Sequence, residues 1–164
     1  MATPSDKTII EAVEALINSR TWSERRLIIE AKRDILLTDA AEQVLNNMIQ
    51  QPNGDADSTQ ILEECSNLLV RSQQVGIESA FAEHLLFEDI QTLLNESERL
   101  TSPNDLPRKV EIYCEALGRI DHNTYPQLWA YLHASLATSL ARDPWERLEN
   151  LEQAILHFQQ VLTV

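Results

Sequence analysis

The sequence predicts an all-α chain of about nine helices, and three observations carry that expectation. Apolar residues recur at three- and four-residue spacing almost from end to end, the period of a helix with one buried face. Only three Gly and six Pro punctuate the 164 residues, and the Pro residues fall between apolar-periodic segments, several where a helix opens. No stretch alternates apolar and polar residues between turn signals, as a half-buried strand would.

The elements follow in order. "TPSD" (Thr3 to Asp6), "TWSE" (Thr21 to Glu24) and "DPWE" (Asp143 to Glu146) each place a capping side chain three residues before a carboxylate. The first residue satisfies a free backbone N–H, and the acid suits the positive helix end. The first helix is expected to bury Ile9, Ile10, Val13, Leu16 and Ile17. The second offers Leu27, Ile28, Ala31, Ile35 and Leu36, and the third Ala41, Val44, Leu45, Met48 and Ile49. "QPNGDADS" (Gln51 to Ser58) reads as a polar loop. A long fourth helix with Ile61, Leu62, Cys65, Leu68, Leu69 and Val75 stops at Gly76, a natural C-terminal cap. The fifth carries Ile77, Ala80, Phe81 and Leu85, and the sixth Ile90, Leu93 and Leu94. Beyond "SPNDLP", three more run near 107–120, 126–141 and 145–164. Two parts are expected: an N-terminal helical module over 1–100 and a region of helix pairs over 101–164.

Composition narrows the function classes. A hydrophobic content of 43% is that of a globular chain. The formal net charge is -13, which repels phosphate backbones and anionic lipid heads, so neither nucleic acid nor a membrane is an expected partner. Solubility accounts for that charge more simply than mimicry of DNA. No apolar run has the length of a membrane span, and "MATPSDKTII" has no basic region leading into an apolar one. Cys65 and Cys114 lack CxxC spacing and make a poor disulfide framework. A reduced, cytoplasmic protein is the economical expectation.

The end of the chain resembles itself. "KVEIYCEAL" (Lys109 to Leu117) aligns without a gap on "AILHFQQVL" (Ala154 to Leu162), at an offset of 45 residues. Val110 matches Ile155, Tyr113 matches Phe158, Ala116 matches Val161 and Leu117 matches Leu162. Self-similarity at this period is the mark of stacked helical hairpins. "YPQLWAYLHASLATSL" (Tyr125 to Leu140) followed by "RLENLEQAILHFQQVL" (Arg147 to Leu162) then resembles one tetratricopeptide (TPR) hairpin. Leu136 and Ala137 stand where that family has Leu and a small residue, and Ala154, Phe158 and Val161 where it has Ala, an aromatic and a small residue. Leu140 replaces the usual Tyr, and Val161 is larger than the usual Ala, so the repeat is divergent.

The phrase "PQLWA…SLA…R…ENLEQAI…F…L" is similar to the long-repeat TPR variant of cyanobacterial and actinobacterial proteins, some of which end in a caspase-like (CHAT) protease domain. "RTWSERRLIIEAKRDILLTDAAEQVL" (Arg20 to Leu45) and "VGIESAFAEHL" (Val75 to Leu85) resemble the helical region that precedes such repeats. The resemblance implies hairpins stacked as a short right-handed TPR-like solenoid. It also implies that Ala154 and Phe158 pack on the helix of Leu136, and that the first helix of the pair lines a groove offering Tyr131, Ala134, Thr138 and Arg142. Tyr131, Ala134 and Thr138 supply no charge-assisted donors, so a clamp for a terminal carboxylate is not expected. Trp145, beside a helix start, is a further contact residue by type.

Little in the sequence carries chemistry. No Gly-rich phosphate loop, GxSxG or HExxH occurs. Cys65 lies among Leu62, Leu68 and Leu69, and Cys114 lies in "IYCEAL", settings of core or near-core thiols rather than nucleophiles. His84, His122, His133 and His157 form no HxxxH or HxxE set. His133 and His157 can approach across the last helix pair, but two ligands do not make a zinc site. "NGDADSTQILEE" (Asn53 to Glu64) echoes a calcium loop but has Ser58 where the sharp turn needs Gly. No catalytic residue, metal or cofactor is therefore expected.

A non-enzymatic helical module that binds another protein, or further repeats of a longer chain, is the leading expectation. Two readings stand beside it: the N-terminal regulatory part of a larger CHAT-type protease or signalling protein, and a self-assembling module. "ERLENLEQAILHFQQVLTV" (Glu146 to Val164) leaves an apolar helix face uncovered, which a further repeat, a partner or a second copy of the chain should cover.

Overall fold

The first helix begins where a hydroxyl can hold its open end. In the computed structural model, which describes residues 5–50, 56–143 and 147–163, α1 (Asp6–Ile17) starts at Ser5, whose side chain accepts from the Thr8 backbone N–H. Thr3, the expected cap, lies outside the described residues, as do residues 144–146 of the third capping signal. The second signal is realised: Thr21 accepts from the Glu24 N–H at 3.1 Å and opens α2 (Trp22–Ala31).

Among the described residues there are nine α-helices, one 3-10 turn and no strand. The remaining helices are α3 (Arg33–Leu36), α4 (Asp39–Ile49), α5 (Ala56–Val75), α6 (Ile77–Arg99), α7 (Leu106–Arg119), α8 (Pro126–Arg142) and α9 (Arg147–Val161). The number matches the expected one by two differences that cancel. The expected second helix is broken at Lys32, which leaves helical geometry at φ -118°, ψ 27°. The expected fifth and sixth helices are one continuous helix, α6. No Gly or Pro interrupts it, and its buried positions change phase between Ala80–Phe81 and Ile90–Leu93. Gly76 ends α5 with a φ of +84°, left-handed geometry that a side chain would strain.

The chain divides into two compact units, Met1–Glu88 and Asp89–Val164, with the division inside α6. In the first unit α1 packs on α2, α3, α4 and α5. Leu16, Ile29, Leu36, Leu45, Cys65, Leu69 and Phe81 form its core. Ala12 belongs to this core, whereas Ile10, expected inside, is exposed.

The phase of α2 also departs from expectation. Ile29 is buried, while Leu27 is 63% exposed. The reason is the helix start: Glu88 of α6 accepts from the Trp22 N–H at 2.9 Å and from the Ser23 N–H at 3.0 Å. With the first turn so fixed, Trp22, Arg25 and Ile29 fall on one face, and Leu27 points away.

Burial pushes the Glu88 carboxyl up, but the Ser23 hydroxyl and the two backbone donors outweigh it and hold it below its ordinary value. Glu88→Ala should cost about 1–2 kcal/mol, the range of a lost helix cap, read by urea denaturation at neutral pH. A carboxyl whose folded pKa is depressed stabilises above its unfolded pKa, and the contribution is lost as pH falls through the folded one. The wild-type advantage over this variant should therefore vanish in acid.

In the second unit, a 3-10 turn (Pro103–Asp105) with a Ser102–Asp105 capping box leads into α7. α7 packs on α8, and α8 packs on α9. α8 is buried on two sides, through Leu132, His133, Leu136, Ala137, Ser139 and Leu140. α9 turns Ala154 inward, with His157 and Val161 partly covered on the same stripe. Phe158, expected beside Ala154 in this contact, is 43% exposed instead. One residue beyond His157, it is carried about 100° round the helix and off the stripe. No helix among the described residues is long and apolar enough to cross a membrane.

Candidate functional site

A cleft of about 290 Å³ opens between α7 and α8 in the second unit. α7 supplies Leu106, Lys109 and Tyr113, and α8 supplies Tyr131, Ala134, Ser135, Thr138, Ser139 and Arg142. The four-residue steps from Tyr131 to Ser135 and Ser139, and from Ala134 to Thr138 and Arg142, put two adjacent rows of α8 on the cleft wall. Of the sequence-predicted contact residues, Tyr131, Thr138 and Arg142 meet here, whereas Trp145 lies outside the described residues.

The polar groups of the cleft fall into two classes. The Thr138 hydroxyl donates to the Ala134 carbonyl at 2.8 Å, and the Ser139 hydroxyl donates to the Ser135 carbonyl at 2.9 Å. These two are satisfied by their own helix. Tyr113 is nearly buried, with its hydroxyl 3.2 Å from Ser97 Oγ. Lys109 and Arg142 differ, because neither makes an ion pair among the described residues, and no carboxylate lines the cleft. By contrast, Arg108 pairs with Glu96 and Glu111, and Arg119 pairs with Asp89 and Glu115. Two cations without ion pairs among the described residues, with Tyr131, 51% exposed, about three turns along α8 from Arg142, give the cleft an amphipathic and locally positive character on a chain of net charge -13.

The sequence reading missed Lys109, Tyr113, Ser135 and Ser139. The signal for Lys109 and Tyr113 was available: they are four residues apart in "KVEIY", hence on one face of α7. Only the packing of that face against α8 brings Lys109 to the groove. Lys109 from α7 and Arg142 of α8 give this cleft charge-assisted donors that Tyr131, Ala134 and Thr138 do not supply.

A second feature of this unit is a chain of rings. His122 meets Trp129 edge-on at 4.7 Å, Trp129 lies 4.0 Å from His133, and His133 lies 4.9 Å from His157. The approach of His133 and His157 across the last helix pair is realised, with Nδ1 to Nδ1 at 2.7 Å. One ring must donate and the other accept, so at least one is neutral. Burial lowers both pKa values, and His157 lowers that of His133 further. No group of three or more potential metal donors comes together among the described residues.

The pair predicts a pH dependence. Groups whose folded pKa is depressed take up protons more readily when unfolded, so stability rises with pH between the folded and unfolded values. The contribution is complete above the ordinary histidine value of about 6.5 and is lost as pH falls below it. Thermal melts at pH 7.5 and pH 5.5 should show a larger fall for the wild type than for His133→Phe/His157→Leu. Equal falls would mean that the pair does not couple to folding.

In the first unit, a cleft of about 250 Å³ is lined by Trp22, Glu64, Asn67, Leu68, Arg71 and His84. Trp22 is already engaged: it stacks on His84 at 3.7 Å, meets Phe81 edge-on at 6.5 Å and carries Arg25 4.7 Å from its ring centre. Arg25 in turn reaches Glu64 at 3.5 Å. These contacts close the aromatic face that a planar ligand would need. Cys65 is buried and Cys114 is exposed on α7, which corrects the near-core setting expected for the second thiol. Desolvation raises both thiols, the opposite of what a nucleophile requires. Asn53 to Asp55 of the calcium-loop echo lie outside the described residues, and from Ala56 onward that stretch is α5.

The chain shows no match to a protein-family model, to a curated protein or to a solved structure.

Proposed function

We propose that this chain is a non-enzymatic helical interaction module whose second unit docks another polypeptide in the cleft between α7 and α8. The occupant is a short segment that carries a carboxylate beside an apolar or aromatic side chain. The observation that carries this reading is the convergence of Lys109 and Arg142, both without ion pairs among the described residues, with the half-exposed Tyr131 in a cleft that holds no acid. Charge-assisted hydrogen bonds to a carboxylate and burial against Tyr131 would supply affinity together.

The TPR likeness belongs to this proposal. It is supported by α7, α8 and α9 packing in succession, and by the burial of Leu136, Ala137 and Ala154, the small and branched positions of the hairpin pattern. In a stacked arrangement, each added helix pair would lengthen the groove. The self-assembly reading keeps a separate footing in the exposed apolar face of α9.

Selection of a displayed random-peptide library on the purified protein tests the docking reading. The enriched peptides should combine Asp, Glu or a free C-terminus with an aromatic or branched apolar residue. Enrichment of basic peptides, or none above background, would contradict it.

A further inference from the structure

α9 has a second face that the packing on α8 does not use. Leu148, Leu151, Ile155, Phe158 and Leu162 are 74%, 36%, 56%, 43% and 85% exposed. Their spacing is three, four, three and four residues, the a/d rhythm of a coiled-coil seam. Ala154, His157 and Val161, which face α8, lie on a different stripe of the helix. The seam is therefore open while α9 is already docked on its own unit. At the repeat positions that match Ile155, Phe158 and Leu162, Val110 and Leu117 are half-buried and Tyr113 is 8% exposed, so the same pattern is largely covered where a neighbouring helix is present.

We propose that this seam is a self-association surface, on which α9 pairs in parallel with α9 of a second copy of the chain. The flanking charges choose that occupant and that direction. With Leu148 at an a position, Arg147 falls at g and Glu152 at e of the next heptad. In a parallel, in-register pair those two positions meet across the interface, so two symmetric Arg147–Glu152 pairs form. Neither residue makes an ion pair among the described residues. An antiparallel pair would set Arg147 against 161–163, which carry no charge. Arg147 against Glu149 and Glu152 leaves one net negative charge on 147–163, so repulsion between copies is small at this face despite the acidity of the whole chain. The inference does not rest on the α7–α8 cleft, which uses other residues, and the two can fail separately.

Sedimentation equilibrium of the 164-residue chain, from about 10 μM to about 1 mM, tests it. The mass should rise from monomer toward dimer. Ile155→Glu should hold it at monomer while leaving helix content unchanged, because Ile155 is exposed within its own chain. Glu152→Arg should weaken association about 10-fold, and Arg147→Glu/Glu152→Arg should restore it. In a Cys114→Ser background, Leu148→Cys should oxidise to a disulfide-linked dimer, since parallel pairing brings the two copies of position 148 together. A monomer across the whole range, a dimer indifferent to Ile155→Glu, or a cross-link that forms only between Leu148→Cys and Leu162→Cys would each overturn the proposal.

Discussion

Phe81→Ala should destabilise the first unit by about 3–5 kcal/mol, enough to unfold a marginal domain near physiological temperature. Phe81 is 0% exposed and is the largest fully buried side chain among the described residues. It comes with Ala80 from α6 into a core that α1 to α5 also supply, so truncation leaves a void lined by side chains from several elements. It also removes the edge contact to Trp22, whose ring organises His84 and Arg25. Phe81→Leu retains most of the volume and should cost well under half as much. Urea denaturation followed by far-UV circular dichroism measures both. A loss below about 1 kcal/mol for the alanine variant would mean that the core collapses around the gap or that Phe81 is not central to it.

Reversing the two cleft cations should produce the second large effect. Lys109→Glu/Arg142→Glu removes two charge-assisted donors worth about 1.5 kcal/mol each, and so should weaken an acidic library-selected peptide by at least about 100-fold. Repulsion from the new carboxylates adds to the loss. Neither residue makes an ion pair among the described residues, so the fold should be unaffected, which circular dichroism checks. Isothermal titration of one selected peptide against both proteins gives the ratio. An unchanged affinity would remove the cations from the site and leave only the apolar wall of Tyr131.

Much of the secondary structure was legible because it is written in local chemistry. Thr21 announces α2, and Gly76 ends α5, and both do so for reasons internal to a few residues. What could not be read locally was any feature set by a distant neighbour. Glu88 fixes the phase of α2 from 66 residues away in sequence, so Ile29 rather than Leu27 turns inward. The apparent break between Leu85 and Ile90 is a change in which residues are buried, as α6 passes from one unit to the other. Periodicity alone reads such a phase change as a new helix.

The site shows the same division. Tyr131, Thr138 and Arg142 were named from the hairpin resemblance and line one cleft, while Lys109 and Tyr113 reach that cleft only through the α7–α8 packing. The His133–His157 approach was visible in the pairing of the last two segments, but its 2.7 Å geometry was not. Phe158 was misplaced because the family pattern assigns its aromatic inward. Here His157 occupies the α8-facing stripe and Phe158 joins the exposed seam.

The most direct test of the docking claim is amide hydrogen exchange of the protein with and without a saturating library-selected peptide. Protection should concentrate on α7 around Lys109 to Tyr113 and on α8 from Tyr131 to Arg142, with residues 6–75 unchanged. Protection confined to the exposed seam of α9, or to the first unit, would contradict the assignment of the α7–α8 cleft as the docking site.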